Sequence, residues 1–115
     1  MTDADAPRPA KHLYRIDKFI VPPAARTEFL ARVWKTHALL RKQDGFIRDY
    51  VLEQTDSATG EVVLLTFAEW QGPEAVEKAR AFMAAFHAQE RINPTDLLAR
   101  LGIKSDLGYY KQVDP

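Results

Sequence analysis

Residues 62–77 read VVLLTFAEWQGPEAVE, and this stretch decides the fold. The run from Val62 to Trp70, apolar but for Thr66 and Glu69 and rich in β-branched and aromatic side chains, predicts a strand. Gln71, Gly72 and Pro73 end it. Pro73 suits the first turn of a helix, where its missing N–H would be unpaired anyway. Glu74 and Glu77 then lie near the positive end of that helix. Its apolar stripe is Val76, Ala79, Met83 and Phe86, with Phe82 beside it, and the helix runs to about Glu90. The same order occurs earlier, at 13–30, as LYRIDKFIVPPAARTEFL. A strand from Leu13 to Val21 stops at Pro22 and Pro23, because proline has no N–H to give a ladder. A helical stretch to Lys42 follows, with Phe29, Leu30, Val33, His37 and Leu40 on one stripe.

Gly45 marks the end of the first helix, and Phe46 to Gln54 reads as the second strand. The polar turn Asp56-Ser57-Ala58-Thr59-Gly60 joins it to the third as a hairpin. Asn93-Pro94 breaks the chain after the second helix, and Thr95 is placed to cap a short helix over Asp96–Leu101. A fourth strand falls at about Asp106–Val113. The order β-α-β-β-α-β predicts an α+β, ferredoxin-like sandwich. Right-handed crossovers put both helices on one face of an antiparallel sheet.

The other sheet face should then alternate with polar residues if it meets water. It does not. Val62 and Leu64 lie on one side of strand three, and Val63, Leu65 and Phe67 on the other. Strand two sets Phe46, Tyr50 and Leu52 against Ile47 and Val51. A second copy of the chain is the simplest cover, so a homodimer packed sheet to sheet is expected. Tyr109 and Tyr110 place one ring on each side of strand four, one of them toward that interface.

Bulk composition narrows the function classes. The chain has 115 residues, in the size range of one domain, read here as 12–115 behind a flexible tail at 1–11. Sixteen basic and sixteen acidic side chains cancel, which argues against a nucleic-acid partner, since phosphate binding needs a basic surplus. No cysteine occurs, so disulfides, thiolate metal sites and a cysteine nucleophile are excluded, in keeping with a cytoplasmic setting. No apolar run reaches the ~20 residues of a membrane span. The three histidines show no metal-ligand spacing, and neither a phosphate-binding glycine loop nor a Gly-x-Ser-x-Gly elbow is present, so neither metal nor cofactor is expected.

Phe19-Ile20-Val21-Pro22-Pro23, Glu28-Phe29-Leu30, Gly45-Phe46 and Thr66-Phe67-Ala68-Glu69-Trp70 before a Pro-Glu-Ala helix start resemble the antibiotic biosynthesis monooxygenase family of dimeric α+β barrel proteins. The likeness covers about residues 12–113. It implies a dimer and, for activity, a cofactor-independent monooxygenase acting on a small aromatic, polyketide- or quinol-like molecule. Trp70 matches the tryptophan that closes strand three in that family. The haem-degrading members also use a first-strand asparagine, absent here, and a second-helix histidine, whose place falls nearer Arg80 than His87. The polyketide oxygenases have an asparagine and a tyrosine where this chain has Thr66 and Val76.

Candidate site residues follow from the faces. Trp70 shares a strand face with the small residues Thr66 and Ala68, which can leave a hollow under the helices. Trp70 is either a wall of that hollow or a core plug. His37 lies in the helix stripe and should point at the sheet. An imidazole there can serve as general base, or it can be a satisfied core histidine. His37, Trp70 and Tyr50 are the candidate catalytic residues, as base, wall and donor. Tyr14, Arg48, Thr66 and His87 are the candidate substrate contacts, with Arg48 set to meet an anionic ligand. His12, beside the tail, is given no role. The alternative to an enzyme is a non-catalytic small-molecule-binding or interaction module on the same scaffold.

Overall fold

The computed structural model describes residues 11–115, so the tail expected over 1–11 lies outside the described residues except for Lys11. The elements are β1 (Leu13–Val21), α1 (Arg26–Leu40), β2 (Phe46–Thr55), β3 (Val62–Trp70), α2 (Pro73–Gln89), α3 (Pro94–Leu101) and β4 (Lys104–Tyr110). A short 3-10 turn, Pro23–Ala25, leads into α1. The sheet has the order β2-β3-β1-β4, with every neighbouring pair antiparallel. This is the α+β ferredoxin-like architecture that the sequence predicts.

Both long helices cover one face of the sheet. Phe29 and Val33 of α1 pack with Phe19, Val21, Val62 and Leu64, and Ile103 joins them. Val76 and Ala79 of α2 pack with Ala68 and Trp70. The even-numbered positions of β3 therefore all point at helices, as the period of two requires. The odd-numbered positions point away. There Ile16 is the cross-strand partner of Phe67, and Phe67 of Tyr50. The Tyr14 and Tyr50 rings each lie 5.6 Å from that of Phe67. Among the described residues nothing covers this face, and Tyr50, Leu52 and Tyr110 are each at least half exposed.

Three local readings change. The register slips between Phe46 and Arg48, so Phe46 pairs with Trp70 on the helix side while Tyr50 and Leu52 remain on the other. A bulge re-aims side chains in this way by adding one residue to one strand. The cap of α3 is Asn93, whose side chain accepts the Asp96 N–H at 3.1 Å, and not Thr95, because the helix already begins at Pro94. Finally, β4 starts at Lys104 and ends at Tyr110, leaving Val113 exposed beyond it. Gly45 (φ +84°) turns the chain so close to α2 that a Cβ there would collide with the Ala75 methyl.

Candidate functional site

A cavity of about 250 Å³ opens between α1, α2, α3 and the helix-covered face of the sheet. It lies where the two apolar core clusters part. Its floor is Thr66 and Ala68, the small residues of β3, and both are buried. The rings of Phe19, Phe29 and Phe86 form much of its wall. Polar groups reach it from two sides.

On the first side, α1 hangs His37 over the sheet. Helical spacing from Phe29 and Val33 forces this orientation, and the residue is 5% exposed. Its Nδ1 lies 2.8 Å from Asp49 Oδ2 on β2. The same oxygen accepts from Arg41 Nε at 2.9 Å. Burial pushes the Asp49 carboxyl up, but the hydrogen bonds and charges of Arg41 and His37 outweigh burial and hold it below the usual carboxylate range. An ionised carboxylate can only accept, so Nδ1 carries the proton. That leaves Nε2 as the ring nitrogen available to the cavity.

On the second side, β1 contributes Arg15 and Asp17, paired at 2.6 Å. Asp17 is the cross-strand neighbour of Thr66, and Arg15 that of Ala68. The Arg15 guanidinium also lies over the Tyr109 ring, 4.8 Å from its centre. Burial pushes Asp17 above the usual carboxylate range, more than Arg15 pulls it down.

The structure brings together His37, Thr66 and His87 of the expected residues; all three line the cavity. It separates the others. Trp70 is 3% exposed and is packed in the second core cluster, edge-on to Phe46 at 5.4 Å. It plugs the sheet end and does not line the cavity. Tyr14, Tyr50 and Arg48 sit on the uncovered face, so none can act beside His37 in one subunit's cavity. The reason is the pairing register: Tyr50 is opposite Phe67, and Arg48 and Tyr14 are both opposite Glu69, all on the side away from the helices. Arg48 instead meets Glu69 at 3.2 Å, and His12, given no role above, bonds the same carboxylate at 2.7 Å. Burial, then the nearby Glu69 carboxylate, pushes the Tyr14 phenol up.

Sequence reasoning missed Asp49, Arg15 and Asp17. Asp49 shares a strand face with Val51, and the hairpin pairs Val51 with Thr66. Counting back from the Asp56–Gly60 turn would have placed Asp49 under the helices. Among the described residues, no cluster of three or more His, Asp or Glu is set to hold a metal ion, and no helix is long and apolar enough to cross a membrane. A second hollow near Gly45 and Gly72 is lined by exposed charged residues such as Lys11, Glu74 and Lys78, and gathers no buried polar group.

The chain matches no family model and no curated protein. Solved structures do match. SnoaB, a cofactor-independent oxygenase from Streptomyces nogalater, has a TM-score of 0.59 at 21% identity, over 92% of this chain and 97% of that one. A candidate antibiotic biosynthesis monooxygenase from Deinococcus radiodurans has a TM-score of 0.60 at 13% identity, over 90% and 94%. A dimeric ferredoxin-like protein from an uncultured marine organism has a TM-score of 0.67 at 10% identity, over 90% and 97%. At such identities the likeness establishes a shared fold. The family resemblance read from the sequence therefore holds at the level of the fold.

Proposed function

We propose that the protein is a cofactor-independent monooxygenase that oxidises a small aromatic, polyketide- or quinol-like molecule in the cavity, and that it works as a homodimer joined through the uncovered sheet face. The observation that carries the proposal is His37: a buried imidazole at the wall of an apolar cavity, with Nδ1 held by Asp49. A base fixed in this way leaves one nitrogen free to take a proton. The fold shared with SnoaB supports the reaction class, and the dimeric ferredoxin-like protein supports the assembly.

The chemistry needs no electrons from the protein. For an anthrone-type substrate, His37 Nε2 removes a proton from the activated CH₂. The resulting enolate-like anion supplies electrons to O₂, which adds to that carbon. A second C–H proton is then lost as the O–O bond breaks. One oxygen stays as C=O and the other leaves as water, so CH₂ + O₂ gives C=O + H₂O. Thr66 Oγ1 is the neutral donor at the cavity floor for the developing oxyanion, and the aromatic walls exclude water. Tyr50 and Trp70 have no part in this scheme.

The test is oxygen uptake with a panel of anthrone- and quinol-type compounds, run in air and under nitrogen. We expect oxygen-dependent product that falls by about 100-fold or more in His37→Ala, the usual scale for loss of a general base. A second reading, binding without turnover, is favoured by one observation: the tryptophan matched to the family lies outside the cavity. Ligand-induced thermal stabilisation with no oxygen-dependent product from any compound would select it.

A further inference from the structure

The charged residues of the cavity do not balance. Those lining it are Arg15, Arg32 and Lys35 against Asp17. Arg15 and Asp17 neutralise each other at 2.6 Å. Asp49 lies behind His37, where Arg41 and His37 already take up its charge. Among the described residues that line the cavity, Arg32 and Lys35 are left. They stand three residues apart on α1, so they share one edge of that helix. The carboxylate nearest Arg32 on α1, Glu28, is bonded to Arg100 and feels Arg32 only as a weaker, more distant charge. Lys35 Nζ instead lies 5.6 Å from the centre of the Phe86 ring, itself part of the cavity wall. His87 stands beside that ring on α2. The chain as a whole has zero net charge, so this local surplus does not reflect a basic protein.

We propose that the cavity takes an organic anion: an aromatic molecule bearing a carboxylate, with its ring between the phenylalanines and its charge at the rim against Arg32 and Lys35. The proposal rests on the preceding section only in placing the ligand in this cavity; it does not depend on turnover. An apolar body removed from water drives entry. The rim cations then choose among bodies of equal shape, because a cationic ligand is repelled and a neutral one gains nothing from them. The anion site expected at Arg48 is thereby moved to the opposite face of the sheet. Arg48 is engaged with Glu69, whereas Arg32 and Lys35 line the cavity itself.

Calorimetric titration of the intact protein with 2-naphthoate and with its neutral isostere, 2-naphthylmethanol, tests this. The expected result is a preference for the carboxylate of about tenfold at low salt, or 1.4 kcal/mol. The preference should shrink at about 0.3 M salt, since both cations lie near the surface and are screened. In the double variant Arg32→Gln, Lys35→Gln it should fall to within about twofold, with affinity for the alcohol unchanged. Equal binding of the two probes, tighter binding of the alcohol, no binding of either, or a preference that survives the double variant would each overturn the proposal. A clear anion preference without oxygen-dependent product from any compound would leave it standing and sink the oxygenase reading instead.

Discussion

Asp49→Asn removes one charge and almost no volume, and its effect can be worked from the structure. Both bonds to the residue, from His37 Nδ1 at 2.8 Å and from Arg41 Nε at 2.9 Å, end on a single oxygen. The asparagine carbonyl can still accept, so the loss is mainly charge assistance. A hydrogen bond to a charged group contributes about 1.5–3 kcal/mol and a neutral one about 1. The His37 bond is buried, so its loss is about 1 kcal/mol or slightly more. The Arg41 side chain is 51% exposed, so its share is discounted to at most about 0.5 kcal/mol. The total of about 1–2 kcal/mol corresponds to a fall in melting temperature of roughly 4–8 °C for a domain of this size. The pH dependence has a defined sign. The folded pKa of Asp49 is depressed, so its contribution is fully present above the unfolded value near 3.9 and is lost as pH falls through the folded value. The gap between wild type and variant should therefore be widest near neutrality and close towards about pH 3. Circular dichroism melts at fixed protein concentration measure this, and nitrogen NMR of His37 gives a second readout. The wild type should carry its proton on Nδ1; the variant should populate the Nε2–H form as well, because an amide can either accept or donate. A gap equally wide at both pH values, or an unchanged tautomer, would refute the assignment of Asp49 as the ionised group that orients His37.

Other outcomes follow from packing. Trp70→Ala should destabilise the protein by about 3–5 kcal/mol in urea unfolding, whereas Trp70→Phe should leave ligand binding in the cavity unchanged, because the indole plugs the sheet end outside it. The wild-type chain of 13.1 kDa should sediment as a dimer at micromolar concentration, and Leu52→Lys on the uncovered face should shift it to monomer without unfolding it, as Leu52 is 53% exposed within one chain. A wild-type monomer would contradict the homodimer. Gly45→Ala should cost more than about 1 kcal/mol in the same unfolding assay, since φ is +84° and the new methyl has no room beside Ala75.

The fold was legible because its signals are local. Proline ends β1 and opens α2, the turn at Asp56–Gly60 closes a hairpin, and the apolar stripes of α1 and α2 show a helical period. The hollow at Thr66 and Ala68 was also legible, since both are small and share a face of β3. What failed was the choice of face on β2 and β1. Period-two alternation tells which residues go together, but not which set meets the helices. The register supplies that, and a bulge at Phe46/Arg48 disturbed it at the end of β2 nearest Trp70. Alternation from Phe46 alone therefore sets Tyr50 and Arg48 beside Trp70 and gives no sign that Asp49 lies under the helices. Arg15 and Asp17 escaped for another reason: an ion pair two residues apart on a strand looks like a solvated surface in the sequence, and only the overlying helices make it part of a cavity floor.

The position of these charges bears on function more than their number does. The core is two apolar clusters, one around Leu64 and Phe29 and the other around Ala68 and Trp70, and Thr66 lies between them on β3. Asp17 stands beside Thr66 on one neighbouring strand, and Asp49 beside Ala68 on the other. His37 bridges from above. Such a seam is not what best stabilises a sheet covered by helices, because replacing a polar pair in such a place with well-packed apolar side chains is often neutral or favourable. Two apolar clusters that meet at a charged, partly empty seam are what the sequence of β3 prepares, by placing threonine and alanine between leucine and tryptophan. The seam also explains why the packed tryptophan and the cavity are neighbours without being one site: Trp70 closes one cluster, which lets the space beside Ala68 stay open.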